Sequence, residues 1–187
     1  MKKSTMILLG VLAVIVITIS MLGGSYNALV TKQEQVDKEL ANIDVQLERR
    51  ADLIPNLVST VKGYTSHESE IIDKITSARE NLLKADSVSE KSTANNELTS
   101  ALNALMVVVE NYPDLKSNQN FIQLSDELAG TENRIATSRR DYNDSVTSYN
   151  TSIKKFPTNI LAGMFGFEKK DYFEVSEGKT DVPNVEF

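Results

Sequence analysis

The sequence predicts an all-α protein: an N-terminal transmembrane helix followed by an antiparallel up-and-down four-helix bundle, with two long and two shorter helices. Three observations point there. Residues 6–22 carry no charge and consist mainly of Ile, Leu, Val, Ala and Met. Beyond them, apolar residues recur at helical rather than strand spacing. Gly and Pro number only 8 and 4 in 187 residues, so few positions oppose a helix.

The apolar run is at the short end of what spans a bilayer, and Gly23 and Gly24 can extend it. Lys2 and Lys3 precede it, as in a signal anchor or a cleaved signal peptide. The exit at residues 23–25 is a poor cleavage site, which favours an uncleaved anchor over residues 1–25. Lys32 and Lys38 follow the run but are interleaved with Glu34, Asp37 and Glu39. The cation bias therefore favours an N-in single-pass protein in the cell membrane, with its bundle on the extracytoplasmic side.

The bundle is expected over residues 26–156. Leu29, Val36, Ile43, Leu57 and Tyr64 fall on one seven-residue series. Leu40, Leu47, Ile54 and Val61 fall on a second, and together they form the apolar stripe of a long first helix. Pro55 removes the N–H that would bond the Ala51 carbonyl, so a kink is expected at residues 51–54, either a packing feature or a hinge. Gly63 breaks the pattern, or the helix passes through it. Thr65 and Glu68 have capping-box spacing and predict a second helix to about Lys84, with Ile71, Ile75, Ala78 and Leu82 inward. Ser87 and Glu90 form another such box and open a third helix, ending at Asn111 and carrying Leu98, Leu102, Leu105 and Val109 inward. Pro113 stops it and can open the next. The fourth helix is expected from about Asp114 to Lys155, with Phe121, Leu128, Ile135, Tyr142, Tyr149 and Phe156 seven apart. Short connections make neighbours antiparallel.

Residues 157–187 form a membrane-proximal apolar segment and a flexible tail. The apolar part, residues 160–167, is too short to span. It either lies in the membrane interface, with Lys169 and Lys170 at headgroup level, or packs back on the helices.

The chemistry-bearing residues are sparse. A net charge of −6 gives nucleic acid no attractive field. The absence of cysteine excludes disulfides and thiolate chemistry. His67, the single histidine, stands beside Glu68 and Glu70, too few ligands for a metal site. No glycine-rich phosphate loop is present, and no cofactor or small-molecule substrate is indicated. The chain reads as a non-enzyme. Arg50 is the exception to the pattern, because it takes a seat in the first apolar series. A buried guanidinium needs an anionic partner. Matching depths along the first and fourth helices nominates Glu132, with Asn133 nearby; the alternative is an arginine that snorkels to solvent. As a pair, Arg50 and Glu132 would set helix register. The same reasoning places Arg139 and Arg140 near Asp37 and Glu39.

Several ordered motifs resemble the LemA family: Arg49-Arg50-Ala51-Asp52-Leu53-Ile54-Pro55-Asn56-Leu57-Val58, then Val61-Lys62-Gly63-Tyr64 and His67-Glu68. They continue with Tyr112-Pro113-Asp114-Leu115-Lys116, Thr131-Glu132-Asn133-Arg134-Ile135-Ala136, Arg139-Arg140-Asp141-Tyr142-Asn143, Tyr149-Asn150, Phe156-Pro157 and Gly166-Phe167. The resemblance covers nearly the whole chain. Asp114 and Ser117 depart from a segment that often reads Asn-Pro-Xaa-Leu-Lys-Ala. The resemblance implies a bacterial membrane protein with one N-terminal span and a helical-bundle domain; it does not imply a catalytic activity. Through gene neighbourhood it also implies a link to membrane metalloproteases of the HtpX type, or to TPM-domain proteins, in envelope or stress function. The expected function is a membrane-anchored scaffold or adaptor whose partners are the lipid bilayer and other envelope proteins. The alternative is an envelope sensor or signal-relay module.

Overall fold

The structure, a computed structural model, describes residues 3–65 and 68–174; His67 and the tail at residues 179–187 lie outside the described residues. Among the described residues every regular element is a helix. They are α1 (Lys3–Lys62), α2 (Ser69–Lys84), α3 (Val88–Val109), the single turn α4 (Pro113–Lys116), α5 (Gln119–Lys154) and α6 (Thr158–Phe165). The chain forms two compact units. One holds the described residues up to Glu39 together with Asp144–Lys170, and the other holds the described residues of Leu40–Asn143 and residues 171–174.

In the larger unit the core follows the sevenfold repeats. Ile43, Leu47, Ile54, Leu57 and Val61 of α1 are buried, as are Leu98, Leu102, Leu105 and Val109 of α3 and Phe121, Leu128 and Ile135 of α5. α1 ends at Lys62, and Gly63 and Tyr64 form a turn in which the Tyr64 ring is exposed. α2 and α3 pack on each other across a short connection, with the Asn81 amide donating to Glu97 at 3.2 Å. α3 opens on a complete capping box. Ser87 Oγ accepts from the Glu90 N–H at 3.2 Å, and the Glu90 carboxylate accepts from the Ser87 and Asp86 N–H groups.

Four expectations need correction here. α2 starts at Ser69, with Glu68 rather than Thr65 at its cap, and Thr65 Oγ1 instead donates back to the Val61 carbonyl at 3.2 Å. Ile75, Ala78 and Leu82 are buried as expected, but Ile72 rather than Ile71 completes the face, Ile71 being only partly buried. α3 ends at Val109, and residues 110–111 are a turn. The fourth helix is divided: α4 stops at Lys116, and the Asn118 carboxamide oxygen accepts the Asn120 and Phe121 N–H groups at 2.9 and 3.1 Å, restarting the chain as α5. A side chain that satisfies orphan helix donors competes with the backbone for them, and this one interrupts the helix.

The smaller unit buries Leu29 and Val36 of α1, Val146, Tyr149 and Asn150 of α5, and Leu161 and Ala162 of α6. Phe156, expected to continue the α5 stripe, is 81% exposed because α5 ends two residues before it. Gly23 and Gly24 do not interrupt α1. The stretch from Leu8 is apolar and long enough to cross a membrane, and its best window is not buried by protein at all.

Candidate functional site

Three helices of the larger unit converge on Arg50. The α1 repeat that points Ile43 and Leu57 inward carries Arg50 with them, leaving it 3% exposed. Its Nη1 forms an ion pair with Glu132 of α5 and donates to Asn95 Oδ1 of α3 at 2.6 Å. Burial lowers the Arg50 pKa, while the charge and hydrogen bond of Glu132 oppose that shift. Thr99 Oγ1 stands 3.4 Å from Glu132 and donates at 2.9 Å to the Asn95 carbonyl. Glu132 remains about one-third exposed, so the pair connects a dry core to water on one side.

Asn133 lines the adjoining cavity of about 340 Å³, but the second partner of Arg50 is Asn95. Leu57, Leu102, Leu105 and Leu128 give that cavity an apolar wall. Arg50 Nε, Asn95 Nδ2 and Ser125 Oγ are buried without a hydrogen-bond partner in the protein. The site has a fixed cation and its counterion but no paired acid and base. Among the described residues no group of three His, Cys, Asp or Glu side chains is arranged to hold a metal ion.

Pro55 lies inside α1, one turn from Arg50. The Ala51 carbonyl that Pro55 cannot serve accepts from Arg79 Nε of α2 at 2.8 Å. The sequence reading missed this partner, because an arginine on an amphipathic helix looks like any solvated cation. Nearby, Lys91 reaches both carboxylate oxygens of Asp44 at 2.7 and 2.8 Å.

A second set of contacts fixes the extended chain after α6. Asn143 donates to the Phe173 carbonyl at 3.0 Å and accepts from the Phe173 N–H at 2.9 Å. Tyr142 Oη donates to the Asp171 carbonyl, and Arg139 and Ser92 both donate to the Glu174 carbonyl at 2.7 Å. The Arg139 guanidinium also lies 5.0 Å over the Phe173 ring, which is buried. In the smaller unit Asn150 serves Lys170 in the same two-bonded way, at 2.8 and 2.9 Å. Arg139 thus holds main chain, Arg140 pairs with neighbouring Asp141 at 3.7 Å, and Asp37 takes Lys170 at 3.3 Å. The repeated Tyr-Asn pair at 142–143 and 149–150 was the available signal, since each pair puts a buried ring beside an amide.

Residues 39–187 match the family model described as the LemA family. The chain is 33% identical over 175 residues to "Magnetosome protein MamQ 2" of Paramagnetospirillum magneticum, covering 80% of this chain and 64% of that protein. It is 31% identical to "Magnetosome protein MamQ" of Magnetospirillum gryphiswaldense, over 84% of this chain and 68% of that one. "Protein LemA" of Metamycoplasma hominis is 30% identical over 87% of this chain and 75% of its own length. The chain thus spans a little under two thirds of the Paramagnetospirillum protein.

Proposed function

The chain belongs to the LemA family, and from that premise we propose that it is a membrane-anchored helical scaffold or adaptor of the cell envelope. The observation that carries this reading is the exposure of the described side chains from Leu8 to Leu22, which include Leu8, Val11, Leu12, Ile15, Ile19 and Leu22. A helical turn of such residues facing water on all sides is unfavourable, and a bilayer removes that cost. The helices of the larger unit would act as an antiparallel four-helix bundle, with Arg50 and Glu132 setting their register. The N-terminus would face the cytoplasm, and the bundle would present binding surfaces to other envelope proteins, a membrane metalloprotease among them.

The relay alternative has less support. α1 continues through Pro55, and the carbonyl that would mark a hinge there is held by Arg79.

The test is fractionation of cells expressing the chain, followed by in-cell crosslinking from the larger unit. Recovery in the membrane fraction after carbonate washing, with a reproducible crosslinked envelope protein, supports the proposal. A freely soluble chain overturns the anchor. Cleavage of the C-terminus by protease only after cell lysis overturns the orientation.

A further inference from the structure

The smaller unit exposes a second apolar surface. Ile160 and Met164, four residues apart on α6, are 53 and 73% exposed, and Phe156 just before the helix is 81% exposed, while Leu161 and Ala162 of α6 are buried. A soluble helix does the reverse of this, turning its apolar row inward and its polar row out.

The place of α6 in its unit identifies what covers that row. Tyr26 of α1 meets Phe165 and Phe167 edge-on, with centroids 4.9 and 5.7 Å apart. Tyr26 lies four residues past Leu22, the last residue of the apolar run, so α6 is seated within about 6 Å along α1 of the end of that run, at 1.5 Å per residue. That is the depth of a bilayer headgroup region, where tyrosine and aromatic clusters concentrate. The charge agrees. The segment from Lys154 to Lys170 carries four lysines against one glutamate, Glu168, in a chain whose net charge is −6. Gly166 closes α6 in the left-handed conformation, at φ 73°, and passes the Phe167 N–H to the Ala162 carbonyl at 3.0 Å. The helix therefore stops before Lys169, which stays exposed.

We propose that α6 is a second membrane contact: an interfacial helix that lays Ile160 and Met164, with Phe156 just before it, into the lipid surface while Lys154, Lys155 and Lys169 meet anionic headgroups. Eight residues are too few to hold a protein on a membrane alone. Tethered by the span, α6 needs only local affinity, because the bilayer is already at high effective concentration. The partner is the lipid surface itself. This inference rests on the anchor reading, since α6 meets the membrane only if the span does.

The chain has no cysteine, so one label site at a time can be introduced into the full-length protein. Met164→Cys and Ile15→Cys variants, each carrying an environment-sensitive fluorophore, would be reconstituted into vesicles containing phosphatidylglycerol, with and without a doxyl-quencher lipid. The expected result is quenching at both sites, with the site-164 label losing roughly half or more of its emission to a quencher placed at shallow depth and less to a deep one. Quenching at site 15 but not at site 164 overturns the proposal alone. Unquenched but blue-shifted emission at site 164 overturns it in favour of a protein surface covering α6. Absence of quenching at both sites overturns the anchor reading with it.

Discussion

Residues 8–22 and 40–61 lie on one unbroken helix, α1, and share one backbone geometry. The first stretch exposes its apolar side chains all round, whereas the second buries one stripe of them and turns charge outward. What differs is the period of the sequence. A continuous apolar surface asks for an apolar solvent, while a sevenfold stripe asks for partner helices. Arg50 sharpens the contrast, since a charge is tolerated in the striped stretch because α3 and α5 bring Asn95 and Glu132 to it. The uniform stretch has no such neighbour to offer at Leu12 or Ile15.

That contrast can be broken most severely in the first stretch. A Leu12→Lys, Ile15→Lys double variant places two cations mid-run, costing about 6 kcal/mol of insertion at roughly 3 kcal/mol each. The chain should move from the carbonate-resistant membrane fraction to the soluble or degraded fraction. Unchanged fractionation would mean that the run is not what holds the protein.

In the second stretch, Glu132→Gln leaves Arg50 charged and buried with a weaker partner, and should cost about 2–3 kcal/mol in urea unfolding. An Arg50→Met, Glu132→Leu double variant should recover most of that loss, because an apolar pair of similar size carries no desolvation cost. If the double variant is worse than the single, the pair does more than set register.

Arg79→Met strands the Ala51 carbonyl and should cost about 1–2 kcal/mol. Pro55→Ala supplies the missing N–H, so the same Arg79 change should cost much less in that background. A double-mutant cycle reads the difference directly. Additive effects would show that Arg79 contributes by packing alone.

The smallest effect belongs to the α3 cap, where Ser87→Ala should lower stability by about 1 kcal/mol. Hydrogen bonds from the Ser87 and Asp86 N–H groups hold the Glu90 carboxyl below its ordinary value of 4.5. Its contribution is therefore full above that value and fades as pH falls through the lower, folded-state pKa. Glu90→Gln should flatten stability against pH in that acid window, lowering stability at neutral pH and leaving it nearly unchanged where Glu90 is already protonated.

The parts legible in the sequence were those governed by local rules. Ser87 and Glu90 state a helix start within four residues, and Leu98, Leu102, Leu105 and Val109 state a face without reference to anything distant. Arg50 stood out because it breaks an apolar row. In α2, by contrast, Ile71 stands four and Ile72 three residues before Ile75, so both fit the helical period and only the packing shows that Ile72 takes the seat. The division at Asn118 was hidden because one carboxamide overrides a long periodic signal. Asn95 was invisible for another reason: an asparagine on a helix has no pattern of its own, and its role is defined by the Arg50 that a distant helix brings to it.

The amides of the two Tyr-Asn pairs govern how the chain after α6 can change. Asn143 and Asn150 each grasp the main-chain N–H and C=O of one residue, not a side chain, and nearly every residue carries that pair. Exchanges at Asp171 should leave both clasps standing, whereas proline at Phe173 or Lys170 would remove the N–H that each clasp requires. The segment is thus held by its shape, and its lettering is free to drift wherever the backbone can still present a donor and an acceptor together.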